Sequence, residues 1–151
     1  MRLDEIDHRF VQAEDAMSEL DTRPNLLDYS PFEFENLVTN LFNAMGLEVH
    51  QARASRDGGV DCVAYDMTAI FGGKFVIQAK RYNKTVGVSA VRDLFGTMQN
   101  EGASKGILVT TSQYGKASYE FADGKPIELI NGPNLLALLQ EHTEFDACIL
   151  P

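Results

Sequence analysis

Apolar residues recur at alternating steps of three and four positions near the start of the chain, in the order Leu3, Ile6, Phe10, Ala13, Met17 and Leu20. This spacing places them on one side of a helix and predicts an amphipathic N-terminal helix. The polar segment 21–25, which contains Pro24, then breaks the pattern. We therefore divide the chain into residues 1–23, the helix, and residues 24–151, the main domain. Three roles stay open for the helix: it packs on its own domain, it packs on a partner subunit, or it is a linker or stub that leads to a missing domain.

The segment 30–46 has the features of a helix with both ends marked. Ser30 is a favoured N-cap, Pro31 suits the first helical position, and Glu33 completes a capping box with Ser30. Gly46 suits the left-handed residue that follows many helices. We predict a helix over residues 31–45, with an apolar stripe of Phe34, Leu37, Val38, Leu41, Phe42 and Met45.

Shorter apolar runs bounded by turn residues predict strands at 47–52, 60–65 and 75–80. Beyond them the pattern predicts a helix that ends before Gly102, a strand at 107–111, a helix at 117–122, a strand at 127–130, a helix at 133–141 and a last short strand at 147–150. Strands that first follow one another and then alternate with helices indicate an α/β domain. Its sheet is mixed, central and flanked by helices.

Three polar residues interrupt the second and third predicted strands. Successive side chains on a strand point to opposite faces, so Gln78 and Lys80 share one face. The two strands can pair as a hairpin across the turn at 71–73, which brings Asp61 beside Gln78 and Lys80. A buried polar group without a partner costs about 1–3 kcal/mol. The three residues therefore indicate a site that is satisfied by partners or used by a ligand.

Glu35 is a fourth candidate, because it lies at the border of the apolar stripe and has no capping role. With Asp61 and Gln78 it would form a pocket of hard oxygen atoms beside Lys80, which suits Mg²⁺. A metal and a lysine that together neutralise charge on a phosphate predict phosphodiester hydrolysis. The alternative for Glu35 is an ordinary carboxylate at the margin of the core. Asp57 assists this site or forms the turn before it, and we favour the turn.

The net charge of −9 argues against nucleic-acid binding until its distribution is considered. Residues 52–125 contain ten basic and seven acidic residues, whereas the flanking segments are acidic. The basic excess surrounds the polar residues, which predicts a surface that faces phosphate; a solvated surface of mixed charge is the alternative. The basic residues of this segment that we consider are Arg53, Arg56, Lys74, Lys80, Arg81 and Lys84.

Cys62 and Cys148 lack the spacing of a redox or zinc motif and are too few for a disulfide scaffold. We expect two buried thiols and a cytoplasmic protein. The sequence also has no signal peptide pattern and no run of eighteen apolar residues. The three histidines are scattered, and no nucleophile motif is present.

An ordered series of motifs resembles the catalytic domain of the Mrr-type restriction endonucleases, a branch of the PD-(D/E)xK nuclease superfamily. The resemblance runs from about residue 30 to residue 139. The motifs are Phe34-Glu35, residues 41–46, Asp57-Gly-Gly-Val-Asp61, Gln78-Ala-Lys80-Arg81-Tyr82, Val86-Gly-Val, Val91-Arg-Asp-Leu and residues 106–112.

This resemblance implies a restriction-endonuclease-like fold and cleavage of DNA that depends on Mg²⁺, with Mn²⁺ as a substitute ion. Glu35 matches the helix glutamate of the family, Asp61 the metal-binding aspartate and Lys80 the catalytic lysine. Gln78 stands where most of the superfamily has Glu or Asp, although glutamine is usual in this branch. A neutral amide leaves the charge balance of the metal to Asp61 and Glu35, so weak or substrate-assisted metal binding is expected.

The expected partner is double-stranded DNA, bound in part by Arg53, Arg56, Arg81 and Lys84. Cutting both strands generally needs two active sites, so we also expect a homodimer or higher oligomer. Proteins of this type generally carry a separate recognition or sensor domain. Two other functions stay open: a non-catalytic nucleic-acid-binding module that retains the fold, and an oligomerising regulatory module in which the first helix provides the function.

Overall fold

The structure is a computed structural model that describes residues 21–54 and 60–151, with the backbone alone for residues 51–54, 60 and 61. The predicted N-terminal helix and Asp57 lie outside the described residues. Within them, a 3₁₀ turn at Leu26–Asp28 precedes helix α1 (Pro31–Ala44) and strands β1 (Glu48–Ala54), β2 (Val60–Asp66) and β3 (Gly73–Lys80). The chain continues with α2 (Val88–Glu101), β4 (Lys105–Thr110), α3 (Lys116–Ala122), β5 (Ile127–Ile130) and α4 (Gly132–Thr143).

Helix α1 begins and ends as its sequence predicts. The Ser30 side chain accepts a hydrogen bond from the Glu33 backbone N–H at 3.1 Å, and the Glu33 carboxylate accepts one from the Ser30 N–H at 3.0 Å. This capping box satisfies two backbone donors that the first helical turn leaves unpaired. At the other end Met45 caps the helix and Gly46 has φ of +101°, a conformation that glycine adopts without steric cost.

The five strands form one mixed sheet in the order β1-β2-β3-β4-β5. β1, β2 and β3 pair antiparallel as a meander, whereas β3, β4 and β5 pair parallel. Parallel neighbours need a crossover connection, and α2 and α3 supply the two crossovers. The sequence-based prediction of a mixed sheet flanked by helices is therefore confirmed.

Apolar side chains form one core on each face of the sheet. The first core lies under α1 and α4 and includes Phe34, Leu41, Cys62, Ile77, Val109 and Leu135. The second core lies under α2 and α3 and includes Val76, Val91, Leu94, Leu108 and Tyr114. β3 therefore runs through the middle of the sheet with both faces covered, and its last five residues are all buried.

The predicted strand at 147–150 is wrong. Cys148 forms only an isolated parallel bridge with Asn25, outside the five-stranded sheet. The Cys148 carbonyl accepts from the Leu26 N–H at 2.9 Å, and the Leu150 carbonyl accepts from the Asn25 side chain at 2.8 Å. Ala147 and Cys148 are buried beside the segment that leads into the 3₁₀ turn, whereas Leu150 is exposed. The apolar pattern of 147–150 therefore reflects partial burial without a ladder partner in the sheet.

Both cysteines are buried, as expected, and neither forms a disulfide. Among the described residues, no helix has the length and apolar character needed to span a bilayer.

The start of α4 packs tightly against the end of β4, and this contact yields a prediction about stability. A Cβ atom added at Gly132 would lie 2.5 Å from the Thr111 carbonyl oxygen and 3.0 Å from Ile149 Cδ1. We expect Gly132→Ala to lower the free energy of unfolding by about 1–3 kcal/mol. Gly96→Ala, in α2 where a Cβ meets no atom within 4 Å, should raise it by about 0.5–1 kcal/mol. Urea unfolding of both variants checks this, and equal effects would contradict it.

Candidate active site

Two buried polar side chains lie near the carboxyl end of β3. Gln78 is 7% exposed and Lys80 is 8% exposed. Ile77 and Ala79 belong to the first core and Val76 to the second. Because side chains alternate along a strand, Gln78 and Lys80 share the face that α2 covers. The sequence predicted this alternation correctly.

The Gln78 amide has one end bonded and one end without a partner. Its Nε2 donates a long hydrogen bond of 3.5 Å to Thr97 Oγ1 on α2. Its Oε1 is buried and has no hydrogen-bond partner in the structure. An unsatisfied acceptor at this depth costs free energy. The structure therefore places a hard oxygen acceptor, with no protein donor on it, near the end of the central strand.

Lys80 is a buried lysine at the end of β3. No ion pair involves Lys80 among the residues whose side chains are described. Its Nζ lies 5.7 Å from the centroid of the Tyr82 ring. An ammonium group is a donor only and cannot accept a hydrogen bond. This cation is thus placed to interact with a negatively charged ligand.

Asp61 stands directly opposite Gln78 in the antiparallel ladder between β2 and β3. Residues opposite each other in such a ladder have Cβ atoms about 4.5–5.5 Å apart. The pairing predicted from the sequence is therefore present in the backbone, although the Asp61 side chain lies outside the described part of the structure.

Glu35 lies on α1, which covers the opposite face of the sheet from α2. It lies in the second turn of α1 and is only 5% exposed. Burial raises the pKa of its carboxyl group above the ordinary value. In the described part of the chain, no hydrogen bond or ion pair reaches this carboxylate. Because α1 and α2 cover opposite faces of the sheet, Glu35 and Gln78 can share a ligand only at an end or an edge of the sheet.

Arg81 connects the end of β3 with the turn before α1. Its Nη1 donates to the Leu27 carbonyl at 3.0 Å, so the residue after β3 is tied to the turn before α1. Thr111 Oγ1 also donates to the Tyr82 carbonyl at 2.7 Å, which ties the end of β4 to the same segment. The start of α1 and the ends of β3 and β4 therefore meet at one end of the sheet.

The four predicted nucleic-acid-binding residues have different surroundings. Arg53 lies in β1 with only its backbone described, and Arg56 lies outside the described residues. Arg81 is half-buried, and its Nε is buried without a hydrogen-bond partner. Lys84 is exposed in the loop after β3. Their binding role stays a prediction.

Lys74 does not surround the polar residues, contrary to the sequence-based interpretation. It lies near the start of β3, six residues from Lys80, which is about 20 Å along a strand. Its Nζ forms an ion pair with Glu101 Oε2 at 2.9 Å. An eight-residue strand separates its two ends too far for both lysines to serve one site.

Thr97 is the residue that sequence reasoning missed. It lies beside the apolar stripe of α2 and has no charge, so the helical periodicity gave no reason to select it. Its position opposite Gln78 depends on how α2 packs over β3, which no local pattern in the sequence encodes.

The donor atoms present suit a hard divalent cation. The Gln78 Oε1 has no partner, Glu35 is a buried carboxylate, and Asp61 occupies the ladder position next to Gln78. No three His, Cys, Asp or Glu residues with described side chains are grouped so that they could hold a metal.

Comparison with known proteins gives the family. A model of a restriction endonuclease family, the Mrr-type catalytic domain, matches residues 26–139. The chain belongs to this family. It is 28% identical over 146 residues to the type IV methyl-directed restriction enzyme EcoKMrr of Escherichia coli strain K12. That match covers 92% of this chain and 47% of EcoKMrr, so the chain spans about half the length of this relative.

Solved structures show the same fold. The DNA modification-dependent restriction endonuclease AspBHI superimposes with a TM-score of 0.62 and 29% identity, over 74% of this chain and 31% of that protein. EndoMS in its apo form has a TM-score of 0.53 and 21% identity, over 69% of this chain and 46% of that chain. The chain therefore has the restriction-endonuclease-like fold.

The raised pKa of Glu35 predicts a stability that depends on pH. The folded state holds this proton more tightly than the unfolded state, so the free energy of unfolding falls as pH rises above the ordinary value of 4.5. We expect Glu35→Gln to be more stable than the wild type at pH 7. The two proteins should converge below pH 4.5, where the carboxyl is protonated in both states. Urea unfolding at several pH values measures the difference.

Glu33→Gln is the matched control on the same helix. Hydrogen bonds from the Ser30 backbone and side chain lower the pKa of Glu33, so its ionised form stabilises the folded state. Its replacement should reduce stability at pH 7, the opposite sign. A Glu35→Gln variant that is less stable than the wild type at pH 7 would contradict the account of Glu35 as a desolvated carboxylate.

Proposed function

We propose that this chain is a metal-dependent DNA endonuclease that hydrolyses phosphodiester bonds, as the effector domain of a restriction or anti-phage defence protein. The observation that carries the proposal is the pair on β3. Gln78 has a buried oxygen acceptor without a partner among the described residues, and Lys80, two residues away on the same face, is a buried lysine that no described carboxylate pairs with. Burial of such a pair costs free energy unless a cation binds the amide oxygen and an anion binds the ammonium group.

A divalent metal and a phosphodiester supply these two charges. Asp61, Glu35 and Gln78 would hold the metal through oxygen atoms, and Mg²⁺, with Mn²⁺ as a substitute, suits that donor set. The bound ion would lower the pKa of a water molecule and neutralise charge on the phosphate. Gln78 contributes an oxygen without charge, so the two carboxylates carry the charge balance.

The reaction itself needs a water molecule in line with the bond that breaks. The water oxygen bonds to phosphorus and gives up a proton to solvent water, while the bond from phosphorus to the departing sugar oxygen breaks and that oxygen takes a proton from solvent. Lys80 donates hydrogen bonds to the attacking water or to a phosphate oxygen and offsets the negative charge that grows there. Its buried position strengthens this interaction, because the surroundings screen charge less than water does.

The raised pKa of the Glu35 carboxyl fits this scheme. Burial makes the negative charge of Glu35 unfavourable in the absence of a cation. A divalent ion beside it would reverse that preference and lower its pKa. The cost of keeping this carboxylate in a buried position is thus offset when the metal binds.

The proposed partners follow from this chemistry and from the relatives. The names of EcoKMrr and AspBHI describe restriction enzymes directed by methylated or modified DNA. We propose that duplex DNA is also the substrate of this chain. Two copies of the chain would cut the two strands. Both relatives are longer than this chain. We therefore propose that a further domain or a partner protein recognises the target, and that the protein acts in the cytoplasm.

Plasmid cleavage by the purified protein tests the proposal. We expect cleavage with Mg²⁺ or Mn²⁺ that stops in EDTA. Lys80→Ala and Asp61→Ala should each reduce the rate about 100-fold or more, because each removes a group that stabilises the transition state. Lys116→Ala is the control, since Lys116 is an exposed lysine paired only with Glu120 on α3, and it should cut like the wild type.

Two results would contradict the proposal. Cleavage that survives in EDTA or in Asp61→Ala would exclude the metal site as described. Duplex binding with a steep salt dependence, but without any loss of substrate with metal, would identify a non-catalytic binding module.

Lys84 provides a separate prediction about DNA affinity. This exposed lysine follows the end of β3, close in sequence to Lys80. If it contacts a phosphate, Lys84→Ala should weaken duplex binding on all sequences alike and reduce the slope of log affinity against log salt by about 1. Fluorescence anisotropy in EDTA at several salt concentrations measures the slope. An unchanged slope, equal to that of Lys116→Ala, would remove Lys84 from the interface.

A further inference from the structure

We propose that Thr97 is a positioning residue that fixes the orientation of the Gln78 amide, so that the amide oxygen and not the NH₂ group faces the metal. This inference rests on the proposed function and extends it to a residue of α2 that does not itself bind the metal.

The hydroxyl group of Thr97 already donates a hydrogen bond within helix α2. Its Oγ1 donates to the carbonyl of Asp93, four residues earlier in the same helix, at 3.0 Å. A hydroxyl has one hydrogen to donate and two lone pairs that accept. Bonding to the carbonyl four residues back is a common use of a helical threonine. With its hydrogen committed, Thr97 can act toward Gln78 only as an acceptor.

The orientation of the Gln78 amide follows from the acceptor that faces it. An amide has a donor end and an acceptor end of nearly the same shape, and only the surrounding hydrogen bonds distinguish them. The group that lies 3.5 Å from Thr97 Oγ1 must be the donor end, Nε2, because two acceptors would repel each other. The opposite end is then Oε1, which is buried and has no partner. The hydroxyl of Thr97 therefore selects the orientation that presents oxygen to a cation.

The same contact bears on why residue 78 is a glutamine and not a carboxylate. A carboxylate at position 78 would present an acceptor to Thr97 as well as to the metal. Thr97 would then have to withdraw its hydrogen from Asp93 to bond that carboxylate. Glutamine matches Thr97 without this exchange, since one end donates and the other accepts. The Thr97 hydroxyl thus explains in physical terms how a neutral amide can serve here in place of a carboxylate.

The test uses Thr97→Val, which has nearly the same shape but no hydroxyl, and Thr97→Ser, which keeps the hydroxyl. Thr97 is only half-buried, so both variants should fold, and thermal unfolding checks this. The first readout needs no metal. The side-chain NH₂ resonance of Gln78, identified by its loss in Gln78→Ala, should shift in Thr97→Val and stay in place in Thr97→Ser.

The second readout is the affinity for Mn²⁺, measured by calorimetric titration without DNA. Loss of a residue that orients a metal ligand typically weakens metal binding about 10–100-fold. We expect Thr97→Val to fall in this range and Thr97→Ser to bind within about twofold of the wild type. In the Gln78→Ala background, Thr97→Val should have no further effect, because Thr97 acts through Gln78.

The outcomes separate this inference from the proposed function. If the wild type binds Mn²⁺ and cuts DNA while Thr97→Val has the same NH₂ resonance and the same affinity, Thr97 does not position Gln78. An effect of Thr97→Val that persists in Gln78→Ala would likewise overturn the inference, since it would reflect a general disturbance of α2. If the wild type binds no Mn²⁺ and cuts no DNA, the proposed function fails and the metal-directing role of Thr97 fails with it. A shifted resonance would in that case show the hydrogen bond alone.

Discussion

The central strand β3 is covered by helices on both faces, so every side chain at its carboxyl end is removed from water. Apolar residues fill most of these positions, but Gln78 and Lys80 do not. Their burial costs free energy, which the described residues offset through one long hydrogen bond and one ring contact. A site that binds a cation and a phosphate would recover the rest, and the other features of the molecule can be understood from this requirement.

The same trade between stability and function applies to Glu35. A glutamate with so little exposure and no hydrogen bond to the described residues reduces the stability of the folded protein at neutral pH. Its neighbour Glu33, two positions earlier, caps the helix and has the opposite effect. One short helix thus contains a carboxylate that stabilises the folded protein at neutral pH and another whose burial destabilises it.

Several hydrogen bonds between elements hold the site region in place. Arg81 ties the end of β3 to the turn before α1, and Thr111 ties the end of β4 to the segment after β3. Thr97 then sets the amide of Gln78 from the opposite helical layer. Each bond joins parts of the chain that are far apart in sequence. The bonds of Arg81 and Thr111 bring the start of α1 and the ends of β3 and β4 to one end of the sheet.

Local patterns in the sequence were sufficient for the capped helix α1, the hairpin of β2 and β3 and the pairing of Asp61 with Gln78, because caps, turns and alternation depend on neighbouring residues. They also selected the buried polar pair on β3. They failed for residues 147–150, whose apolar pattern is that of a strand but which form only an isolated bridge with Asn25 among the described residues. They also failed for Lys74, which lies at the opposite end of β3 from Lys80. The hydrogen bond from Gln78 to Thr97 and the one from Arg81 to Leu27 depend on how separate elements pack. Only the tertiary structure decides such contacts, since they join residues between which the sequence has no periodic relation.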